Sequence, residues 1–159
     1  MTQRITLPVF PVEGGCQCGA VRYRITASPL AVYNCHCRDC QKHSGATHSM
    51  SMPTRREHFE HLAGEVTAYD KGAESGRVVR MMGCAVCGTK VWNEPLASAA
   101  MVVIKPGTLD DPRWAVPIGN IWTDSALPWA EIDPDQLSFP GQPPDRQPLF
   151  DAWTRATAA

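Results

Sequence analysis

Seven cysteines in three tight clusters constrain this chain more than any other feature: Cys16 with Cys18, then Cys35, Cys37 and Cys40, then Cys84 with Cys87. Spacings of one or two residues suit metal ligation, because thiolates must converge at about 2.3 Å from one ion. The clusters divide unevenly. Four thiolates close one tetrahedron and read as a structural site, while the three left over leave one position for a substrate. An odd number of cysteines also argues against a disulfide framework, and clustered reduced thiols fit a cytoplasmic protein, which is the expected location.

Composition narrows the alternatives. A chain of 159 residues, 43% hydrophobic, is the size of one globular domain with a sizeable core. Its formal net charge of −1, without a Lys/Arg block, argues against nucleic acid or an anionic membrane as partner. The longest aliphatic run, Met101–Ile104, is far too short to cross a bilayer. Residues 1–10 lack the charged, apolar and small-residue order of a signal peptide.

Fourteen prolines and 12 glycines punctuate the chain, and no long helical period appears. In residues 20–26, Val21, Tyr23 and Ile25 alternate with Arg22 and Arg24, the pattern of a half-buried strand. Further short strands are expected at 31–34, 47–52, 66–69, 77–82, 89–92, 101–104 and 118–122, each bounded by turn residues. The rhythm predicts a mainly β protein of antiparallel sheets, with short helices at 38–44, 55–62 and 150–158. Residues 12–130 read as one domain carrying the three cysteine clusters, and the Pro-rich residues 131–159 as an extension packed on it, with Leu137 and Phe139 as anchors.

The cysteine spacing carries chemistry. Residues two apart in an extended chain share a face, so Cys16 and Cys18 can present both sulfurs to one ion. Cys84 and Cys87, followed by Gly88, form a two-residue knuckle, and the two pairs together complete a Cys₄ tetrahedron whose binding energy counts toward folding. Reduced core cysteines are the alternative. In the middle cluster Cys35 and Cys37 share one face, Cys40 returns if a short helix follows, and His36 points away as a core histidine. Either that leaves an open coordination position, or His43 or His48 closes it, or the thiols are free. Three thiolates on a divalent ion carry a net −1, which Arg38, Lys42 or amides would offset. Thiolate donors in a small cytosolic fold favour zinc over iron.

Other residues read as structural. His58 and His61 fall in the expected helix at 55–62. Asp110 and Asp111 precede Pro112 in a turn, and the tryptophans read as packing, with Trp122 and Trp129 as candidates to wall a pocket.

Three motifs stand in a recognisable order: Gly-Gly-Cys-x-Cys-Gly-Ala-Val-Arg-Tyr at 14–23, Cys-His-Cys-x-x-Cys with a following Ser-Gly at 35–45, and Cys-x-x-Cys-Gly-Thr at 84–89. In these the chain resembles the glutathione-dependent formaldehyde-activating enzyme family, which includes centromere protein V, over residues 12–129. The resemblance implies a tent-like, zinc-binding β fold shared with a Rab chaperone. It implies a structural zinc on Cys16, Cys18, Cys84 and Cys87, and a second zinc, catalytic, on Cys35, Cys37 and Cys40. It also implies a carbon–sulfur lyase that joins glutathione to formaldehyde as S-hydroxymethylglutathione, a detoxification, with residues 41–47 and the Gly88 and Thr89 amides lining the pocket. The chain departs from the family at Gly83, where an aromatic residue is common, and in its Pro-rich C-terminal segment. The competing function is a non-catalytic zinc-stabilised binding or chaperone-like module.

Overall fold

The computed structural model describes residues 4–73 and 76–158. Eleven strands are present among them: β1 (Val12–Gly15), β2 (Arg22–Ile25), β3 (Tyr33–Cys35), β4 (Ser49–Arg55), β5 (Phe59–Ala63), β6 (Val66–Gly72), β7 (Val78–Cys84), β8 (Lys90–Pro95), β9 (Met101–Ile104), β10 (Gly119–Ile121) and β11 (Leu137–Ser138). Two α-helices accompany them, α1 (Arg38–Ser44) and α2 (Gln147–Thr157). The mainly β architecture follows the short, turn-bounded runs of the sequence.

The strands form two sheets. The smaller is antiparallel, in the order β1-β2-β5. The larger runs β11-β10-β3-β4-β9-β8-β7-β6 and is antiparallel except where β10 lies parallel to β3 and to β11. That parallel pairing arises because a long excursion through β4 to β9 separates β3 from β10, so no tight hairpin imposes the antiparallel sense.

Alternation in β2 explains how the sheets stack. Tyr23 and Ile25 are fully buried, while Arg22 and Arg24 reach outward to Asp110 and Glu13. Tyr23 meets Trp92 of the large sheet edge-on at 6.3 Å between ring centroids, and Phe59 meets the same indole at 4.9 Å. Such aromatic pairs add to the area they bury. Met52, Val91, Val102 and Ile104 complete the core between the sheets.

The expected helix at 55–62 does not form. Arg56–His58 make a single 3-10 turn and β5 follows, with Phe59 opposite Ile25 and Glu60 opposite Arg24. Pairing to β2 and packing of Phe59 on Trp92 outweigh a weak local helix preference. His58 and His61 therefore flank a sheet edge, and the His61 ring lies 5.2 Å from Trp92.

Beyond residue 131, β11 adds an edge strand, and α2 buries Leu149, Ala152, Trp153 and Ala156, a stripe of helical spacing. Trp153 Nε1 donates to Ser28 Oγ at 3.2 Å, and the Ile5 amide donates to the Ala156 carbonyl at 2.8 Å. Among the described residues no helix is long and apolar enough to cross a membrane.

Candidate metal centres and the adjoining cavity

The first cluster joins the two sheets. After β1 the chain turns through residues 17–19, with the Gly19 amide donating to the Cys16 carbonyl at 3.1 Å and Gly19 at φ +80. This turn, rather than an extended strand, brings Cys16 Sγ and Cys18 Sγ to 3.4 Å. From the other sheet, β7 ends at Cys84, and the Gly88 amide donates back to the Cys84 carbonyl at 2.9 Å, folding Cys87 toward its partner. Cys18 Sγ and Cys84 Sγ stand 3.8 Å apart, and all four sulfurs lie within 4.8 Å of one another. A tetrahedral zinc at 2.3 Å from each sulfur sets them about 3.8 Å apart, so the donor set fits such an ion.

Neutral donors support this cluster. The Val21 amide donates to Cys16 Sγ at 3.2 Å, and Thr89 Oγ1 lies 3.1 Å from Cys87 Sγ. Thr89's hydroxyl and amide draw the Cys87 thiol down to about 5. The Ala20 amide favours the Cys18 thiolate, but hydrogen bonding to Cys16 and the neighbouring thiols of the cluster outweighs it and pushes that thiol up to about 12. Adjacent thiols cannot all ionise without a cation among them. Gly88 and Thr89, expected at the substrate pocket, instead belong to this centre: the Gln17 amide donates to Thr89 Oγ1 at 3.2 Å.

The second cluster is built by one change of backbone conformation. Cys35 is the last residue of β3, Cys37 is the N-cap of α1, and Cys40 lies in its first turn. The Cys40 amide donates to Cys37 Sγ at 3.4 Å, and the three sulfurs lie within 4.8 Å of one another. Cys37 is drawn down to about 2 by its hydrogen bond to Cys35, which is itself pushed well above the ordinary thiol range. Among the described residues no histidine or carboxylate joins the three within that distance. His36 turns away, 1% exposed, with Nε2 3.0 Å from Asn120 Oδ1, and His48 Nδ1 lies 3.0 Å from Thr47 Oγ1. Three thiolates suit a divalent thiophilic ion and leave its remaining position to the space beyond them.

That space is a cavity of about 430 Å³. The three thiols line it, together with Tyr69 from β6, Val79 and Met81 from β7, and Trp122. Trp122 sits in the left-handed region at φ 59, and its Nε1 donates to Gln142 Oε1, also on the cavity wall, at 3.4 Å. Of the two tryptophans expected at a pocket, Trp122 is there and Trp129 lies out in solvent, 70% exposed. His43, from the last turn of α1, lines the cavity with its Nε2 buried and unbonded. Burial, then the charges of Lys105, Lys90 and Lys71, hold its pKa down at about 4, so the imidazole is neutral at physiological pH.

A profile of the glutathione-dependent formaldehyde-activating enzyme family matches residues 11–125, which contain all seven cysteines and both clusters. The chain belongs to that family. A crystal structure of a Rhodobacter sphaeroides protein is similar in fold, with a TM-score of 0.51 at 15% identity, covering 80% of this chain and 98% of that one. Family membership accounts for a glutathione- and formaldehyde-related activity in the broad sense. Most of α1's surroundings lie inside the matched region, whereas Gln142 and α2 lie outside it.

Of residues 41–47, expected to line the pocket, Lys42 and His43 do so, and the roles of other residues that shape the second cluster carry no local signal. Gln41 Nε2 donates both to the His36 carbonyl at 2.7 Å and to the Ser125 carbonyl at 2.8 Å, pinning α1 against the segment after β10. Asn120 anchors His36 from 84 positions away. Lys105 Nζ donates to Ser49 Oγ at 2.9 Å, and Ser49 is the ladder partner of Cys35, so the ammonium is held beside the thiols. Only pairing of β3 with β4 and β10 brings these groups together.

Proposed function

We propose that the protein is a zinc-dependent carbon–sulfur lyase-type enzyme that makes or breaks the adduct of a thiol and a small aldehyde, glutathione and formaldehyde being the reference pair. One observation carries this reading: three thiols converge on the wall of a ligand-sized cavity, with no fourth protein donor among the described residues. Cys35, Cys37 and Cys40 would hold a zinc ion, which when bound would lower the pKa of a substrate thiol. The Cys16, Cys18, Cys84 and Cys87 set, closed by its own four donors, would hold a second zinc that serves the fold.

The residues around the trio prepare the reaction. Lys105, tethered to Ser49, places a cation beside the thiolates and offsets their excess negative charge. The apolar surfaces of Val79, Met81 and Trp122 exclude water, and holding thiol and aldehyde together converts a bimolecular encounter into an intramolecular one. In the synthetic direction the thiol gives up its proton, a carbon–sulfur bond forms as the carbonyl π bond breaks, and the oxygen takes up a proton. No oxidant or reductant is needed. Neutral His43 is able to take or give a proton at the cavity wall.

Exchange NMR between ¹³C-formaldehyde and its glutathione adduct tests this reading above the uncatalysed background. Cys37→Ala is expected to lower the enzyme-catalysed exchange rate by more than about 100-fold, since even outer-shell changes at metal sites cost 10–100-fold. Its circular dichroism should stay native. An unchanged rate in the folded variant contradicts catalysis and favours a binding module.

A further inference from the structure

Among the described residues four buried side-chain atoms have no hydrogen-bond partner, and two of them, His43 Nε2 and Asn93 Oδ1, belong to residues that line the cavity beside Cys35, Cys37 and Cys40. Asn93 is out of keeping with its place. Tyr69, Met81 and Asn93 are successive ladder partners across β6, β7 and β8, and Asn93 also pairs with Val103 of β9. Side chains opposite one another in a ladder share a face. The amide therefore stands between Met81 and Val103, both buried, where an apolar residue would pack without penalty. An unmet buried acceptor at such a position costs stability and calls for a reason beyond the fold. His43 comes from α1 and lies near the same sheet: the charges that reach its ring belong to Lys105 just after β9, Lys90 on β8 and Lys71 on β6.

The two atoms define the group that meets them. Lys42, Lys90 and Lys105 on the same cavity disfavour a cation. An anion only accepts hydrogen bonds, so it meets an imidazole N–H but is repelled by the amide oxygen. An aldehyde carbonyl has the same limit. A hydroxyl does both: it accepts from Nε2–H of the neutral imidazole and donates to Asn93 Oδ1. Water has that capacity too, and a ligand hydroxyl displaces it without loss of hydrogen bonds, whereas a methyl group does not.

We propose that His43 and Asn93 form a hydroxyl-binding pair. With the ligand's sulfur toward Cys35, Cys37 and Cys40, the pair holds the hydroxyl of the thiol–aldehyde adduct and discriminates against the free aldehyde, whose carbonyl has no proton to donate. Asn93 in particular is kept at a cost to the fold for the sake of this contact. The inference rests on the cavity being the substrate site, and it names the two residues that read the oxygen of the adduct.

Calorimetric titration of the zinc-loaded protein with two stable thioethers separates recognition from turnover. S-(2-hydroxyethyl)glutathione and S-propylglutathione differ only in a terminal hydroxyl in place of a methyl group. Asn93→Leu and His43→Leu are each expected to weaken the hydroxylated probe by about three- to tenfold relative to the propyl probe, the range of one neutral hydrogen bond. Asn93→Leu, or the smaller Asn93→Val, should also raise the urea midpoint, because it removes an unmet acceptor; an amide that served the fold would lower it. A midpoint lowered in both Asn93 variants, a probe preference that neither leucine substitution alters, or a wild-type protein that binds neither thioether would each overturn the pair. Hydroxyl preference that depends on both residues in a protein without catalysed exchange upholds the pair and removes the lyase. Catalysed exchange that both leucine variants retain at the wild-type rate keeps the lyase and removes the pair.

Discussion

A methyl group at residue 14 has no room. Gly14 crosses the buried Tyr23 ring, and a Cβ there would fall within 3.0 Å of both that ring and the Thr108 carbonyl. Tyr23 cannot yield, because its hydroxyl is held by Thr108 Oγ1 at 2.8 Å and its ring by Phe59 and Trp92. Gly14→Ala should cost about 1–3 kcal/mol as overpacking, read as a lower urea midpoint; an unchanged midpoint would show that β1 moves freely. His43 makes a second residue-scale prediction. Its folded pKa of about 4 lies below the ordinary 6.5, so between these values the unfolded chain binds a proton that the folded one refuses. Stability is therefore fully present above pH 6.5 and lost as pH falls toward 4. His43→Gln should flatten that part of the urea-midpoint curve, and an unaltered slope would place the ring in solvent. From sequence alone His43 stood as a possible fourth ligand; its position on the cavity wall became visible only when α1 was docked through Gln41.

At the scale of elements, the sequence announced whatever repeats locally. The alternation of residues 20–26 became β2, and β9 spans Met101–Ile104 as its aliphatic run requires. The breakdown came where pairing decides. Residues 55–62 have helix-tolerant composition but find β2 beside them, and the turn from Cys16 to Gly19 replaces the extended geometry expected of a Cys-x-Cys pair. The parallel partners of β10 carry no local mark at all, since they are chosen by where distant segments end. Helix α2 shows the same logic in reverse: a helix was legible at 150–158, but its start at Gln147 and its partner, Ser28 before β3, were not. Trp153, 2% exposed, fills the space between them. Trp153→Ala should destabilise the protein by about 3–5 kcal/mol in one cooperative transition. A second, separate unfolding step would mean that α2 is an appendage rather than part of the core.

For the whole molecule, the two clusters occupy different mechanical positions. Cys16 and Cys18 leave the small sheet, Cys84 and Cys87 join β7 to β8 in the large one, and a metal among them would tie sheet to sheet. Metal affinity at such a site is folding free energy. Cys35, Cys37 and Cys40 sit within one short stretch at the end of β3, where loss of a ligand opens no long loop. Cys16→Ser should therefore lower the thermal midpoint sharply along with zinc content, whereas Cys37→Ser should lose one zinc with little thermal change. The central claim, one centre closed by sulfur and the other a ligand short, is tested most directly by zinc K-edge absorption fine structure during glutathione titration. Centres with four and three cysteine donors give a mean of 3.5 protein sulfurs per zinc, and the account predicts a rise to four as the thiol binds. A mean that stays fixed on adding glutathione, or a protein that saturates with a single zinc, would contradict it.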